Sequence, residues 1–377
     1  MKIVIAPDSF KETLSAPEVA EALKKGVIDA SPQAEVVMVP LGDGGEGTTD
    51  AVVVAAGGSF RSVEVPDPLG HPVRARFGLI ENGTTAVLEM AAASGLDLLG
   101  PSERNPLQTS TKGTGVLIRA ALDAGASRMI LGVGGSATVD CGIGMAAELG
   151  AEFLDRKGKP IENPAGGDLG KVESVRMEGL DGRLRNTEVS VACDVTNPLV
   201  GNEGAARVYG PQKGADTDMV ERLEKGIKHF AGIIRKDLGI DVSQEPGGGA
   251  AGGLAAGLAA FAGARLERGI ETVMDAVGLE AKMEGAALVI TGEGKADLQS
   301  AFGKTPAGVG ELARKSGVPA VLAAGMLEDG YRELYRHGIT AAFSIAEGPM
   351  KVKKAHESTE RLLRQTAEGI VRLISPD

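Results

Sequence analysis

Lys2-Ile3-Val4-Ile5-Ala6-Pro7-Asp8-Ser9 is the stretch that decides the fold. Its apolar run is too short for a signal peptide and stops at Pro7-Asp8, so it reads as a first β-strand. A helical pattern runs from Ala16 to Ala30, with Ser15 as N-cap and Pro17 in the first turn. Val36–Val39 reads as a second strand, and Gly42-Asp43-Gly44-Gly45-Glu46-Gly47 opens a second helix through Ala56. Strand, loop, helix, repeated, is the sign of a parallel sheet.

The pattern changes at Gly57-Gly58. Residues 59–90 alternate in strand fashion, broken by Pro66-Asp67-Pro68-Leu69-Gly70 and Glu81-Asn82-Gly83, which reads as an antiparallel meander. From about 108 the α/β alternation resumes, with strands at Met129–Leu131 and Val189–Cys193, and residues 216–283 look helical. A strand at Val289-Ile290 then runs into Gly292-Glu293-Gly294, and strand–helix units lead to an amphipathic helix over 356–374. The last third resembles the first 57 residues in style. The expectation is an α/β protein of two domains. A flavodoxin- or Rossmann-like, doubly wound parallel sheet is built from 1–58 plus 285–377. A mixed α/β domain, 59–284, is inserted into it, with an active-site cleft between the two.

Composition agrees. Of 377 residues 55 are Gly, twice the usual share, but no Gly-X-Y period exists and 43% of residues are hydrophobic. Tight loops between regular elements remain, and such loops are where ligands meet backbone. A net charge of −11 repels phosphate backbones and argues against nucleic acid. Only Cys141 and Cys193 occur, which fits a reducing compartment and a cytoplasmic setting. The uncharged stretch Pro246 to Ala264 is mostly Gly and Ala. It is expected to be a close-packed buried helix rather than a membrane span. The expected assembly is a monomer or a homodimer, with no membrane partner.

Ligands of open α/β sheets bind beyond the carboxyl ends of the strands, so the residues there matter most. They are Asp8, Ser9 and Lys11; Asp43, Gly44 and Gly45; Gly134, Gly135, Ser136 and Thr138, then Asp140; Asp194, Thr196 and Asn197; and Glu293, Lys295, Asp297 and Gln299. Gly134-Gly135-Ser136, placed before a helix, is either a cradle for phosphate or carboxylate, or a glycine turn in which Ser136 or Thr138 caps the helix. Gly42–Gly47 fits G-x-G-x-x-G, and Gly132, Gly134 and Ala137 fit its variant, which keeps an NAD-dependent oxidoreductase of a small hydroxy acid open. A non-catalytic two-domain binder of small anions is open too. Gly303-Lys304-Thr305 has the tail of a Walker A loop, but Leu298 stands where its first glycine belongs. The four His residues are scattered, and no G-x-S-x-G elbow occurs. Five aspartates at strand ends, Asp8, Asp43, Asp140, Asp194 and Asp297, suggest a Mg²⁺ site plus a general base. Lys11, Lys213, Lys295 and Lys304 supply cations, the combination phosphoryl transfer needs.

These segments resemble the bacterial glycerate kinase family of the first type. The matching stretches are Ala6–Lys11, Asp43–Thr48, Glu89–Leu96, Gly113–Gly115, Gly134–Thr138, Val191–Leu199, Gly210–Ala215 and Ile290–Gly294, in family order over nearly the whole chain. The resemblance implies ATP-dependent phosphorylation of D-glycerate, giving 2-phosphoglycerate and ADP, on a flavodoxin-like domain with an inserted α/β domain. Glu12 stands where the family usually has Gly, Val139 and Cys141 where Asn and Gly are usual, and Lys295 where Arg is common. The resulting expectation makes Asp194 the base, with Lys295 and Asp297 also catalytic. Asp8, Ser9, Lys11, Asp43, Gly44 and Gly45 bind substrate. Gly134, Gly135, Ser136, Thr138, Gly292, Glu293 and Gly294 bind ATP, and Asp43 and Asp297 hold Mg²⁺.

Overall fold

The computed structural model describes residues 1–375. The chain begins with β1 (Lys2–Ile5), α1 (Ala16–Ala30), β2 (Glu35–Met38), α2 (Thr48–Ala56), β3 (Ser59–Pro66), β4 (Pro72–Ile80), β5 (Thr85–Glu89), α3 (Ala91–Ser94) and α4 (Lys112–Asp123). It continues with β6 (Arg128–Gly132), α5 (Ile143–Glu148), β7 (Glu152–Leu154), β8 (Ser174–Arg176), β9 (Glu188–Ala192), α6 (Ala205–Tyr209), α7 (Thr217–Leu238), α8 (Ala250–Ala262) and β10 (Arg265–Glu267). The last third holds α9 (Gly269–Ala276), α10 (Leu279–Met283), β11 (Leu288–Ala296), α11 (Thr305–Lys315), β12 (Ala320–Leu327), β13 (Ile339–Ser344), α12 (Val352–Glu357) and α13 (Thr359–Ile374). Contacts divide it into two compact units. One is Met1–Asp43, Gly47–Gly58 and the residues from Arg268 on; the other is Gly44–Glu46 and Ser59–Glu267.

The first unit is a parallel sheet in the order β13-β12-β11-β1-β2. Strands therefore grow outward in both directions from the β1–β11 pair, the doubly wound arrangement. Ile3, Ile5, Leu288 and Ile290 alternate onto one face, where they form a core with Val19, Leu23 and Val27 of α1 and Leu363, Ile370 and Val371 of α13. α11 packs on β11 and β12 and takes the other face. Ser15 starts α1 as its N-cap, with its N–H donating to Glu18 Oε2 at 2.8 Å.

The boundary near 285 needs correction, because α9 and α10 belong to the first unit. Ile270 and Met274 of α9 lie against Gly308 of α11, and Lys282 of α10 donates to Ala55 O at 2.8 Å. The helical look of 268–284 says nothing about which sheet those helices cover.

The second unit has a six-stranded sheet in the order β10-β9-β6-β5-β4-β3. β3, β4 and β5 are the antiparallel meander, and β5, β6, β9 and β10 run parallel. Its core includes a cluster of Phe153, Phe230 and Phe261, with ring centroids 5.6 to 6.3 Å apart. The helical expectation over 216–283 overlooked β10, whose single line Arg265-Leu266-Glu267 is too short to show a period. α8 is buried and rich in Gly and Ala as expected, but Ala251, Gly252 and Gly253 have left-handed backbone, so the helix is broken near its start rather than running through 246–264; no helix among the described residues is long and apolar enough to cross a membrane. It lies close on Cys141-Gly142, since a Cβ at Gly257 would sit 2.3 Å from Cys141 O.

Candidate active site

In the first unit the crossover direction changes between β1 and β11, and the chemistry-bearing residues gather at the carboxyl ends of those two strands. Asp8 continues the ladder of β1, its N–H donating to Gly292 O at 2.8 Å. Its carboxylate accepts the Ser9 N–H at 2.6 Å and the Thr305 hydroxyl at 2.6 Å. Burial, and then the negative charge of Asp43, push the Asp8 carboxyl up to about 6 despite those bonds.

Glu293 lies in β11 itself and is 8% exposed. Burial pushes its carboxyl up to about 7, with the charges of Asp8 and Asp297 adding, while the Ser300 hydroxyl and the Lys304 charge pull it back. Its Oε1 has no hydrogen-bond partner among the described residues. Lys304 is the N-cap residue of α11.

Lys295 and Asp297 form a separate ion pair. Lys295 Nζ lies 3.0 Å from Asp297 Oδ2 and 3.2 Å from Glu328 Oε2. The Lys295 bond holds the Asp297 carboxyl below its usual range. Asp297 Oδ1 meanwhile accepts the N–H groups of Gln299 and Ser300, at 2.8 and 3.3 Å, and so caps a short 3-10 turn. Both Asp297 oxygens are thus engaged within the protein, Oδ2 by the Lys295 cation. Lys11 is exposed in the turn after Phe10. A Cβ at Gly292 would lie 3.0 Å from Ala323 O, and at both Gly292 and Gly294 it would meet Phe10 at an ordinary contact distance of 3.5 Å.

In the second unit β6 and β9 are neighbours, with Gly132 opposite Ala192, so Gly134–Ser136 and Asp194 leave the same sheet edge. Gly44 lies on both strand ends. Its φ is +92°, and a Cβ there would meet Ala192 Cβ at 2.8 Å. Gly45 approaches Gly134 in the same way, 3.0 Å from the Cβ position that Gly134 lacks. Asp194 is exposed beyond β9.

The loop after β6 overturns one expectation. It does not open a helix, because α5 begins only at Ile143, is six residues long and is preceded by Gly142. The helix expected directly after Gly134-Gly135-Ser136 is therefore absent, with the dipole it would have supplied, and the dinucleotide variant loses its helix as well. A buried polar cluster takes the place of that helix. Asp140 is fully buried and accepts the Thr111 N–H and hydroxyl at 2.8 Å each, and the Gly142 N–H at 3.1 Å. Those bonds assign Asp140 to anchoring the loop, not to metal or base. Lys213 is 1% exposed and donates to Ser136 Oγ at 2.6 Å and Thr138 O at 2.7 Å. Burial lowers its ammonium to about 7, against the Asp140 charge that raises it.

Residues 3–375, nearly the whole chain, match the model of the glycerate kinase family. The chain belongs to the glycerate kinase family. It is 49% identical to a glycerate kinase of Bacillus subtilis, over 99% of this chain and 98% of that protein. It is also 49% identical to a glycerate 2-kinase of Escherichia coli, over 92% and 90%. A solved structure described as a glycerate kinase 2, from Salmonella typhimurium LT2, superposes with a TM-score of 0.91 at 47% identity, covering 99% and 98% of the two chains. A glycerate kinase is a phosphotransferase, which sets aside the oxidoreductase and the passive binder. The structure adds three pairings to this chain that the sequence does not show: Thr305 on Asp8, Lys304 beside Glu293, and Lys213 on Ser136 and Thr138 of the glycine loop. The Gly303-Lys304-Thr305 tail was a visible signal for the first two. Lys213 sits in a stretch quoted for the family, but nothing in the sequence marks it as buried.

Proposed function

We propose that the protein transfers the terminal phosphoryl group of ATP to the 2-hydroxyl of D-glycerate, giving 2-phosphoglycerate and ADP, in the cytoplasm. The observation that carries this is the gathering of Asp8, Asp43, Glu293, Lys304 and Thr305 at the switch point of a chain that matches the family over nearly its whole length. Phosphoryl transfer asks for positioning, cationic neutralisation and an acceptor for the hydroxyl proton, and side chains of those kinds stand at strand ends in both units.

Asp194 is the proposed acceptor of the proton, being a carboxylate at an accessible strand end. Lys11 and Lys295 neutralise the substrate carboxylate and the moving phosphoryl group, with Asp297 holding Lys295 in place. Ser9, Gly44 and Gly45 line the substrate, and Gly134, Gly135, Ser136 and Thr138 face the nucleotide. Mg²⁺ suits Asp8 and Asp43. Burial, and after it the Asp43 charge, raises the Asp8 carboxyl; a divalent cation relieves the second of these, and Mg²⁺ needs only one or two carboxylates beside phosphate and water. No group of three or more His, Cys, Asp or Glu able to hold a metal occurs among the described residues. Bound there, Mg²⁺ would neutralise phosphate oxygens. Incubation with ATP, Mg²⁺ and D-glycerate should yield ADP and 2-phosphoglycerate in equal amounts. ADP no higher than in the glycerate-free control refutes the proposal.

A further inference from the structure

The loop Gly134-Gly135-Ser136 has free donors but no helix behind it. Among the described residues its three backbone N–H groups donate no hydrogen bond; Gly135 O accepts from Leu96 N at 2.8 Å, and Ala137 N donates to Ser94 O at 2.9 Å, which pins the loop from both sides. Gly135 is exposed and Gly134 half-buried, so these N–H groups lie at the surface of the unit. Ser136 is different, being 8% exposed with its Oγ 2.6 Å from the Lys213 ammonium. An ammonium has protons only to give. While Lys213 is charged, Ser136 Oγ accepts, and its own proton is turned away from Lys213. Thr138, a little further along the loop, is fully buried, and its Oγ1 has no partner among the described residues. A buried cation, a hydroxyl it orients, an unpartnered hydroxyl and free amides are found together on one loop.

The neighbouring acid does not consume the cation. Asp140 is occupied by Thr111, Gly142 and Gly144 and forms no direct ion pair with Lys213. Lys213 has two oxygen acceptors, neither of them charged, so the positive charge is directed at the loop rather than neutralised beneath it. A buried cation without a charged partner is expensive. An anion brought to the loop supplies the missing negative charge through one intervening hydroxyl.

We propose that Lys213 is a positioning residue that charges an oxyanion site made by Gly134, Gly135 and Ser136, and that the oxyanion received there is a phosphate of the nucleotide. The ammonium never touches the ligand. It replaces the helix dipole that such loops elsewhere rely on, and it acts through the Ser136 hydroxyl. This rests on the kinase reading and adds to it the source of the positive charge and the group that transmits it.

The test compares Lys213→Met, Ser136→Ala and Ser136→Thr with the parent enzyme in glycerate-dependent ADP formation, fitting KM for ATP and for D-glycerate separately. Lys213→Met should raise KM for ATP on the order of tenfold or more and Ser136→Ala severalfold, with Ser136→Thr near the parent and KM for glycerate nearly unchanged in all three. If Lys213→Met fails to fold, Ser136→Ala and Ser136→Thr carry the comparison, because neither removes the Lys213–Thr138 bond. Unchanged KM for ATP in Ser136→Ala overturns the proposal. A rise in KM for glycerate alone overturns the phosphate assignment and makes the anion the substrate carboxylate. Thermal shifts with ATP alone test the site without turnover: smaller ATP protection in Ser136→Ala than in the parent supports it, and equal protection overturns it. Loss of glycerate-dependent ADP formation in the parent enzyme would strike the kinase reading instead, and these binding measurements would still stand.

Discussion

Glu293 keeps a carboxylate oxygen buried without a partner, which ties its ionisation to stability. Its carboxyl is raised from 4.5 to about 7, so the native state holds a proton there that the unfolded chain releases. The resulting stability is full below about pH 4.5 and is lost as pH rises through about 7. Glu293→Gln should not show this loss. Relative to the parent it should gain on the order of 3 kcal/mol between pH 4.5 and pH 8, read by urea unfolding at both. Asp194→Asn should lower kcat at least a hundredfold with an unchanged far-UV spectrum, and a near-normal rate removes Asp194 as the base. Glu12 and Cys141 carry a different lesson. Both stand where the family usually has glycine, and both have left-handed backbone, with φ of 67° and 52°. Glu12→Gly should therefore be neutral or stabilising, by up to about 1 kcal/mol, and a clear loss of melting temperature contradicts that. The acids at strand ends were legible as residues. What each acid does was not, because Asp140, Asp297 and Asp8 look alike in sequence and differ only in the donors that tertiary structure brings to them.

Elements were legible where the period was long. α1 and the chain-closing α13 fall where their amphipathic patterns place them, and β3 to β5 match their alternation and turns. Loops with side-chain anchors were not. The residues from Val133 to Gly142 read as a helix start because glycines precede Ser136 and Thr138, yet Asp140 and Lys213 hold them as a loop through contacts distant in sequence. α8 shows the reverse, a composition whose meaning is packing. A side chain at Gly257 would run into Cys141 O, so Gly257→Val should cost about 3 kcal/mol in chemical unfolding. A loss below about 1 kcal/mol would show that the two backbones can separate.

On the scale of the molecule, two runs that are far apart in sequence complete one sheet, and β1 sits between β2 and β11. The shared style of the first and last thirds made that pairing readable. The membership of 268–284 was not readable, since an apolar helix face does not name the surface it covers. A ligand that binds only the folded protein raises its melting temperature, by an amount that grows with the logarithm of ligand concentration over Kd. ATP should do so without glycerate, whereas NAD should not, and a thermal scan with each checks it.

Residues 44–46 belong by contact to the second unit, although their neighbours in the chain on both sides belong to the first. That excursion makes the protein a poor donor of modules. A gene fragment covering 59–267 alone carries both strands whose ends Gly44 rests on, but not Gly44 itself. Recombination that moves the inserted segment between proteins must therefore carry a second, tiny piece from far upstream, or be met by a host loop of the same shape.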